Sequence, residues 1–381
     1  MSRLNVGNLY NENEDGAPVV SGISTFSSPH YFIPPSGSTA QRPSNPGEGM
    51  IRFNTDSGHL EYYTGTHWAD VIVNNQELGN QLVTNSAGGT GTRGLRAGGQ
   101  TPSVTDTIDY VTISTLGNAQ DFGNLTVSRF AVGAGASRTR GLFFGGGTPT
   151  RKNEIDFVTI ASTGDATDFG NLTQTSTASG SQGSNDTRAL RFGGDTGSAV
   201  NVIDYMTIAS TGDAVDFGDI STNLSGGASV ASLVRCVLAG GDTASDGSMI
   251  NTIQYVTIST TGNTQEFGDI LSANGGKGLS NSTRGIFNMG NPSASNVLQF
   301  ITIASTGNSQ DFGDLTQNNL SGGAGCCSSS TRGLFMGIKT PTVTNSIEFI
   351  SILTTGNASD FGDLTQTVAN SVACSNGHGG L

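Results

Sequence analysis

Residues 139–173, TRGLFFGGGTPTRKNEIDFVTIASTGDATDFGNLT, decide the fold, because the chain writes them six times. Related stretches stand at Thr92–Thr126, Thr187–Ile220, Val234–Ile270, Thr283–Thr316 and Thr331–Thr365. The recurring Phe122, Phe169, Phe217, Phe267, Phe312 and Phe361 give intervals of 47, 48, 50, 45 and 49 residues. A period of that length implies one supersecondary unit that buries its faces against copies of itself.

Each unit reads as four strands. The first is a run of small residues, as in Ser179–Gly183, Gly227–Leu233 and Gly323–Ser329. The second ends in paired glycines, Leu142-Phe143-Phe144-Gly145-Gly146. The third is Ile155–Ala161, and the fourth surrounds Asp168-Phe169-Gly170. In the third strand, Ile155 and Phe157 point to one face while Val158 and Ile160 point to the other. A sheet that is apolar on both faces must be covered on both. Copies packed face to face around a ring satisfy this without helices, so the expected fold is all-β. Specifically, 92–381 reads as a six-bladed β-propeller of four-stranded blades. After the sixth unit, Gln366–Gly380 repeats the start of a unit and stops. A strand within 367–376 is therefore expected to pair beside Thr92–Gly99 and complete blade one, with Gln81–Gly89 as the alternative closing strand.

The 56 glycines and the 12% charged residues agree with short strands and tight turns. A net charge of -13 argues against electrostatic binding to nucleic acid or anionic lipid. No run approaches the ~18 apolar residues of a membrane span, and the first residues read as no secretory signal. Cys236, Cys326, Cys327 and Cys374 lack zinc spacing and read as reduced, buried thiols, consistent with assembly in a reducing cytoplasm. Residues 1–75 differ in character. Gly16–Phe26 and Tyr31–Pro34 read as extended pieces. Residues 47–71 read as a three-stranded meander over Met50–Asn54, His59–Tyr63 and Trp68–Val71. Such a meander is marginal alone and is expected to lean on a partner. Residues 76–91 read as a linker.

The candidate chemistry repeats with the units. Asp-Phe-Gly (Glu-Phe-Gly at 266–268) has no phosphate-binding loop or catalytic-loop companion, so it does not read as a kinase element. An acid two residues after the Phe, at Asp219, Asp269, Asp314 and Asp363 but Asn124 and Asn171, raises calcium as an alternative. Two carboxylates fall short of the six to eight oxygens that calcium prefers, and no metal is expected. Arg93, Arg140, Arg188, Arg235, Arg284 and Arg332 recur too. They are expected to form a structural ring, each tied to an acid of the units: Asp121, Asp168, Asp216, Glu266, Asp311 or Asp360. A ring of ligand-binding arginines is the alternative. Ser162–Asp165 and its equivalents read as the turn between strands three and four. His30, His59, His67 and His378 are scattered, and no catalytic constellation or cofactor site is legible. The loop between strands two and three varies most, which makes Thr148, Arg151, Lys152, Asn153, Asp242, Ser245, Asp246, Asn291 and Ser293 the candidate binding residues. Unselected drift of those loops is the competing reading.

Two resemblances follow from these residues. Gly98-Gly99, Gly145-Gly146, Gly193-Gly194 and Gly240-Gly241, each followed by an aromatic (Tyr110, Phe157, Tyr205, Tyr255), resemble kelch repeats. The later kelch tryptophan is replaced here by Phe, and units five and six read Met289-Gly290 and Gly337-Ile338. The stretch Phe32–Val71, FIPPSGSTAQRPSNPGEGMIRFNTDSGHLEYYTGTHWADV, resembles a segment of virion fibre and appendage proteins of tailed phages, especially those of marine cyanobacteria. The repeated STGNAxDFGDLT and the closing SNGHGGL are similar to the same group. The resemblance implies a non-enzymatic virion protein, assembled in the bacterial cytoplasm. Residues 1–75 would dock to other virion proteins, and the propeller would project to touch a host-surface glycan or protein. A purely structural capsid, collar or tail decoration with no host ligand is the alternative. Appendage proteins of this kind are often trimeric, although no heptad is present to enforce a trimer. A propeller glycan hydrolase or lyase would need acids that stand out in one unit, and here they repeat with all six.

Overall fold

The computed structural model describes residues 34–57, 59–71, 92–100, 102–177, 183–243, 248–272, 275–291, 293–320, 325–339 and 341–381. The pieces expected over 16–26 and 31–33, the linker 76–91 and the alternative closing strand Gln81–Gly89 lie outside the described residues. The chain divides into two compact units, Met1–Leu78 and Gly79–Leu381.

In the first unit, a two-residue strand Ser36–Gly37 runs parallel to Ile51–Asn54, which pairs antiparallel with His59–Tyr63, and His59–Tyr63 pairs in turn with Trp68–Asp70. Its polarity is inverted. Arg52, Asn54 and Glu61 are buried, while Ile51, Phe53 and Tyr62 face out at 54%, 37% and 41% exposure. Glu61 accepts two bonds from Arg42 and one at 3.1 Å from Asn54. The Arg42 bonds hold its carboxyl below the usual range against the opposing effect of burial. Trp68 stacks within about 6 Å of both Arg42 and Arg52.

The second unit is all-β. Six sheets follow the six sequence modules, and no α-helix occurs among the described residues. Five sheets have four antiparallel strands. The third has three strands, extended by the Ser184–Ala189 bridge. Module 2 is representative: Gly133–Ala136, Arg140–Phe144, Glu154–Thr159 and Thr167–Asn171, in that spatial order. Module 1 takes its first strand from the far end of the chain. Val372–Ser375 pairs antiparallel with Arg93–Ala97, Cys374 standing opposite Leu95.

The small residues of the first strands answer to crowding. A Cβ added at Gly278 would sit 2.7 Å from Val230 Cγ1, and one at Gly135 would sit 2.7 Å from Ala189 Cβ. The Asp-Phe-Gly motif is a β-bulge. Asp156 pairs with Asp168 and Ile155 with Gly170, so Phe169 is the extra residue and turns into the core. It ends 3% exposed, edge-on to Phe157 with the ring centroids 5.9 Å apart. Gly170 holds φ +147°, and a Cβ there would run into the Gly212 carbonyl oxygen of module 3.

The apolar core is divided among neighbouring modules. One cluster joins Ile108 and Phe122 of module 1 to Phe143 and Val158 of module 2; others join 2 to 3, 3 to 4, 4 to 5 and 5 to 6. The last joins Ile347 and Phe361 of module 6 to Val111 and Ile113 of module 1. Backbone hydrogen bonds follow the same order. The turn N–H of Gly164 donates to the Phe122 carbonyl, Gly212 to Phe169, Gly262 to Phe217, Gly307 to Phe267 and Gly356 to Phe312, and Gly117 of module 1 donates to Phe361 of module 6.

One expectation about the third strand needs correction. Its second face is not wholly apolar, because Asp156 shares it with Val158 and is fully buried. Asp109 and Asp204 occupy the same place, as do Gln254, Gln299 and Glu348.

Candidate functional site

The six recurring arginines do not meet the acids they were expected to pair with. Asp121, Asp168, Asp216, Glu266, Asp311 and Asp360 lie exposed on the fourth strands, and none forms an ion pair among the described residues. Each arginine instead lies over the third-strand aromatic of its own module. Arg93 covers Tyr110, Arg140 Phe157, Arg188 Tyr205, Arg235 Tyr255, Arg284 Phe300 and Arg332 Phe349, at 4.5 to 5.1 Å from the ring centroids. The reason is register. Arg140 stands opposite Thr159 and Leu142 opposite Phe157, so Arg140 and Phe157 are diagonal neighbours on one face, whereas the fourth-strand acid turns outward beside the bulge. The guanidinium then reaches the next module. Arg93 donates to Ile160 O, Arg140 to Ile208 O, Arg188 to Ile258 O, Arg235 to Ile303 O, Arg284 to Ile352 O and Arg332 to Ile113 O, at 2.9 to 3.2 Å. A planar guanidinium can lie flat on a ring and donate in its own plane at once, which a point-charge ammonium matches less well. The diagonal follows from the strand register, which the sequence alone does not set.

The residues that sequence reading missed are the buried acids and amides of the third strand. Each accepts from the residue four positions after the motif Phe of the preceding module. Thr126 donates N–H and Oγ1–H to Asp156, Thr173 Oγ1 to Asp204, Ser221 N to Gln254, Leu271 N to Gln299, Thr316 to Glu348, and Thr365 Oγ1 of module 6 to Asp109 of module 1. Three of the acids have a buried arginine: Arg129 at 2.5 Å from Asp156, Arg191 at 2.9 Å from Asp204, and Arg96 at 3.7 Å from Asp109. At the looser Arg96–Asp109 pair, Arg96 Nε and Asp109 Oδ2 make no hydrogen bond, and burial pushes the Asp109 carboxyl up. Among the described residues Glu348 has no such cation, and burial raises its pKa as well. The signal was a polar residue alternating within an apolar strand at one fixed place in six copies.

The acid that suggested calcium has a different explanation. The N–H two residues after each motif Phe donates to a turn side chain of the next module: Asn124 to Asp165, Asn171 to Asp213, Asp219 to Asn263, Asp269 to Asn308, Asp314 to Asn357, and Asp363 to Asn118. Every pair contains one Asp and one Asn, so no junction sets two carboxylates together.

The loop residues proposed as a binding set are only partly gathered. Thr148 lies in a short hairpin, Gly147–Thr148 against Thr150–Arg151. Arg151 leaves its own module to bond Asp195, 2.7 Å to Oδ2 and 2.9 Å to the backbone oxygen. Burial works to raise the Asp195 carboxyl, but Arg151 and the Gly197 N–H outweigh it and hold it below its ordinary value. Lys152 pairs with Glu154 at 3.2 Å, and Asn153 donates its N–H to the same carboxylate at 3.1 Å. Asp242 bridges to Ser225 in module 4, Asn291 ends the strand Arg284–Asn291, and Ser293 is exposed. Ser245, Asp246 and the side chain of Asn291 lie outside the described residues.

Two shallow grooves run beneath the strand-three-to-four turns. One, in module 2, is lined by Phe157, Thr159, Ser162 and Asp165; the other, in module 5, by Phe300, Ser305, Asn308 and Gln310. Their aromatics have one face covered by arginine and meet the motif Phe in a T-shaped contact, which reduces the ring surface left for stacking a sugar. No group of three or more His, Cys, Asp or Glu arranged to hold a metal occurs among the described residues. The comparisons with known proteins find no matching family model and no matching curated sequence.

Proposed function

We propose that residues 92–381 form a closed six-bladed β-propeller and that the protein is a non-enzymatic structural component of a phage virion. In this reading the propeller projects from the particle toward the host surface. The observation that carries the ring is the shared order of its contacts. The turn-to-Phe, arginine-to-carbonyl, buried-acid and Asp–Asn bonds each run from module 1 through module 6 and back to module 1. An open stack of six sheets would leave its two end faces without those partners.

The virion reading rests on the resemblance of residues 32–71. The outward Ile51, Phe53 and Tyr62 of the first unit support it, since an apolar sheet face is what a docking segment presents to another virion protein. Host contact is assigned to the face holding the strand-two-to-three loops. Thr148, Thr150, Thr196 and Ser198 offer hydroxyls there beside the Arg151–Asp195 pair, a polar surface suited to a glycan or a polar protein epitope. A second reading, a decoration protein with no host ligand, is favoured by the covered aromatics and by the pairing of Arg151 and Lys152 within the scaffold. Density for the intact particle would place the protein, with six-fold pseudosymmetry expected for residues 92–381. Binding of the full chain to host-surface glycans or host cells, weakened by Arg151→Ala, supports the first reading. An ordered, exposed ring that binds neither supports the second. Absence from the particle would overturn both.

A further inference from the structure

The last six residues do more than follow the closing strand. Beyond Val372–Ser375, Asn376 accepts the Arg93 N–H on Oδ1 at 2.8 Å. The chain then crosses the ends of the first strands of other modules. His378 Nε2 lies 2.8 Å from Ala136 O in module 2 and 3.3 Å from Ser184 Oγ in module 3. Gly379 donates to Ser280 O of module 5 at 2.9 Å, and a Cβ on it would strike the carbonyl oxygens of Asn281 and Ala231, the latter from module 4. A Cβ on Gly380 would strike Ser184 O. Six residues thus touch the first strands of modules 2 to 5 while continuing that of module 1. Gly379 and Gly380 are required by the closeness of those carbonyls.

His378 is seated in one protonation state. The Ala136 carbonyl can only accept, so Nε2 carries the hydrogen. Nδ1 must then be the bare nitrogen, and it accepts the Gly380 N–H at 3.1 Å. A proton on Nδ1 would set two N–H groups head to head and break the bond that turns the chain into Gly380. The side chain is 2% exposed, so water cannot replace that bond. Ser184 does not favour the other tautomer, since its hydroxyl hydrogen is donated to Ala136 O and is not offered to a bare Nε2.

We propose that the C-terminal segment His378-Gly379-Gly380 is an acid-sensitive latch, which ties the first strands of modules 1 to 5 while the imidazole is neutral and releases them when Nδ1 takes up a proton. Two charged groups act on it from the turns beside the first strands of modules 2 and 3. Asp186 favours the imidazolium and Arg138 opposes it, and the two form an exposed pair at 3.9 Å. Burial dominates and brings the seated imidazole down to about 4 from its usual 6.5. The sign follows. The latch holds fully above about pH 6.5, where released and seated histidine are both neutral. It weakens as pH falls toward about 4, because only the released tail takes up the proton. The release equilibrium rises about tenfold per pH unit across that window, ~300-fold in all.

The test is hydrogen exchange at the Gly379 and Gly380 amides of the full chain between about pH 7.5 and 4, divided by the intrinsic exchange rates. The wild-type protection factor is expected to fall along that slope. In His378→Gln, which keeps a donor for Ala136 O but does not titrate, it is expected to stay level. Asp186→Asn is expected to keep the wild-type slope. A level wild-type profile overturns the proposal, as does an unchanged slope in His378→Gln or a slope lost in Asp186→Asn. If the glutamine variant fails to seat the tail at neutral pH, the NMR titration of the wild-type imidazole decides. A midpoint well below 6.5 supports the latch, and one at or above 6.5 overturns it.

Discussion

At the scale of single residues, the junctions between modules work by complementarity of small polar groups. Asp363 of module 6 donates its N–H to Asn118 of module 1 at 3.1 Å, and the same contact recurs at Asn124–Asp165 with acid and amide exchanged. Replacing Asn118 by Asp keeps the acceptor oxygen but brings a second carboxylate beside Asp363. The expected cost is about 1 kcal/mol at low salt. Asp363→Asn in the same chain should restore wild-type stability, because it recreates the arrangement found between modules 1 and 2. Urea unfolding of the two single variants and the double variant measures this. Additive losses would show that the two side chains do not interact. The arginines are equally local: each needs a flat ring below it and a carbonyl ahead of it, and both are supplied by strand register.

At the scale of the element, the third strand carries both the apolar packing and the buried polar tie. Glu348 accepts from Thr316 without a cation of its own, whereas the same position is Gln254 in module 4 and Gln299 in module 5. Glu348→Gln is therefore expected to fold and to melt at or above the wild-type temperature at neutral pH. Burial raises the Glu348 pKa in the folded state, so its ionised form destabilises the fold at pH 7. That penalty disappears as pH falls below the ordinary carboxylate range, so the advantage of the glutamine should shrink on acidification. A Tm difference that grows as pH falls would refute the assignment. The opposite result is expected at Asp156. Its removal to Ala leaves Arg129 buried without its carboxylate, and a loss of about 3–5 kcal/mol is expected. The fourth strand shows how an element can mislead. Asp-Phe-Gly looks like a catalytic tripeptide, but here it is a bulge that turns Phe inward, leaves Asp outside and brings Gly against the next module. The exposed acids then guard six sheet edges against pairing with other chains.

At the scale of the whole molecule, modules far apart in sequence depend on one another. The first strand of module 1 is supplied by Val372–Ser375, and Val372 and Cys374 fill the core shared by modules 1 and 2. Deleting residues 372–381 would leave one side of Arg93–Ala97 unpaired and open that core. The expected result is loss of most of the ~5–15 kcal/mol that holds a domain of this kind together. Differential scanning calorimetry should show a lost or strongly lowered transition. A truncated chain that melts like the full one would show that the strand is dispensable.

The amino-acid sequence by itself determined the all-β class, the six-fold repetition, the four-strand unit and the structural nature of Asp-Phe-Gly. These follow from periodicity and local strand chemistry, which depend only on neighbours along the chain. The partners of the arginines, the one-acid-one-amide junctions, the buried Arg129–Asp156 pair and the seating of His378 were decided by tertiary structure alone. In each case the groups that meet are tens to hundreds of residues apart along the chain. Arg129 makes the point. It precedes the strand Gly133–Ala136, outside the repeated string, yet it reaches Asp156 because folding closes that gap and leaves the carboxylate no water to prefer.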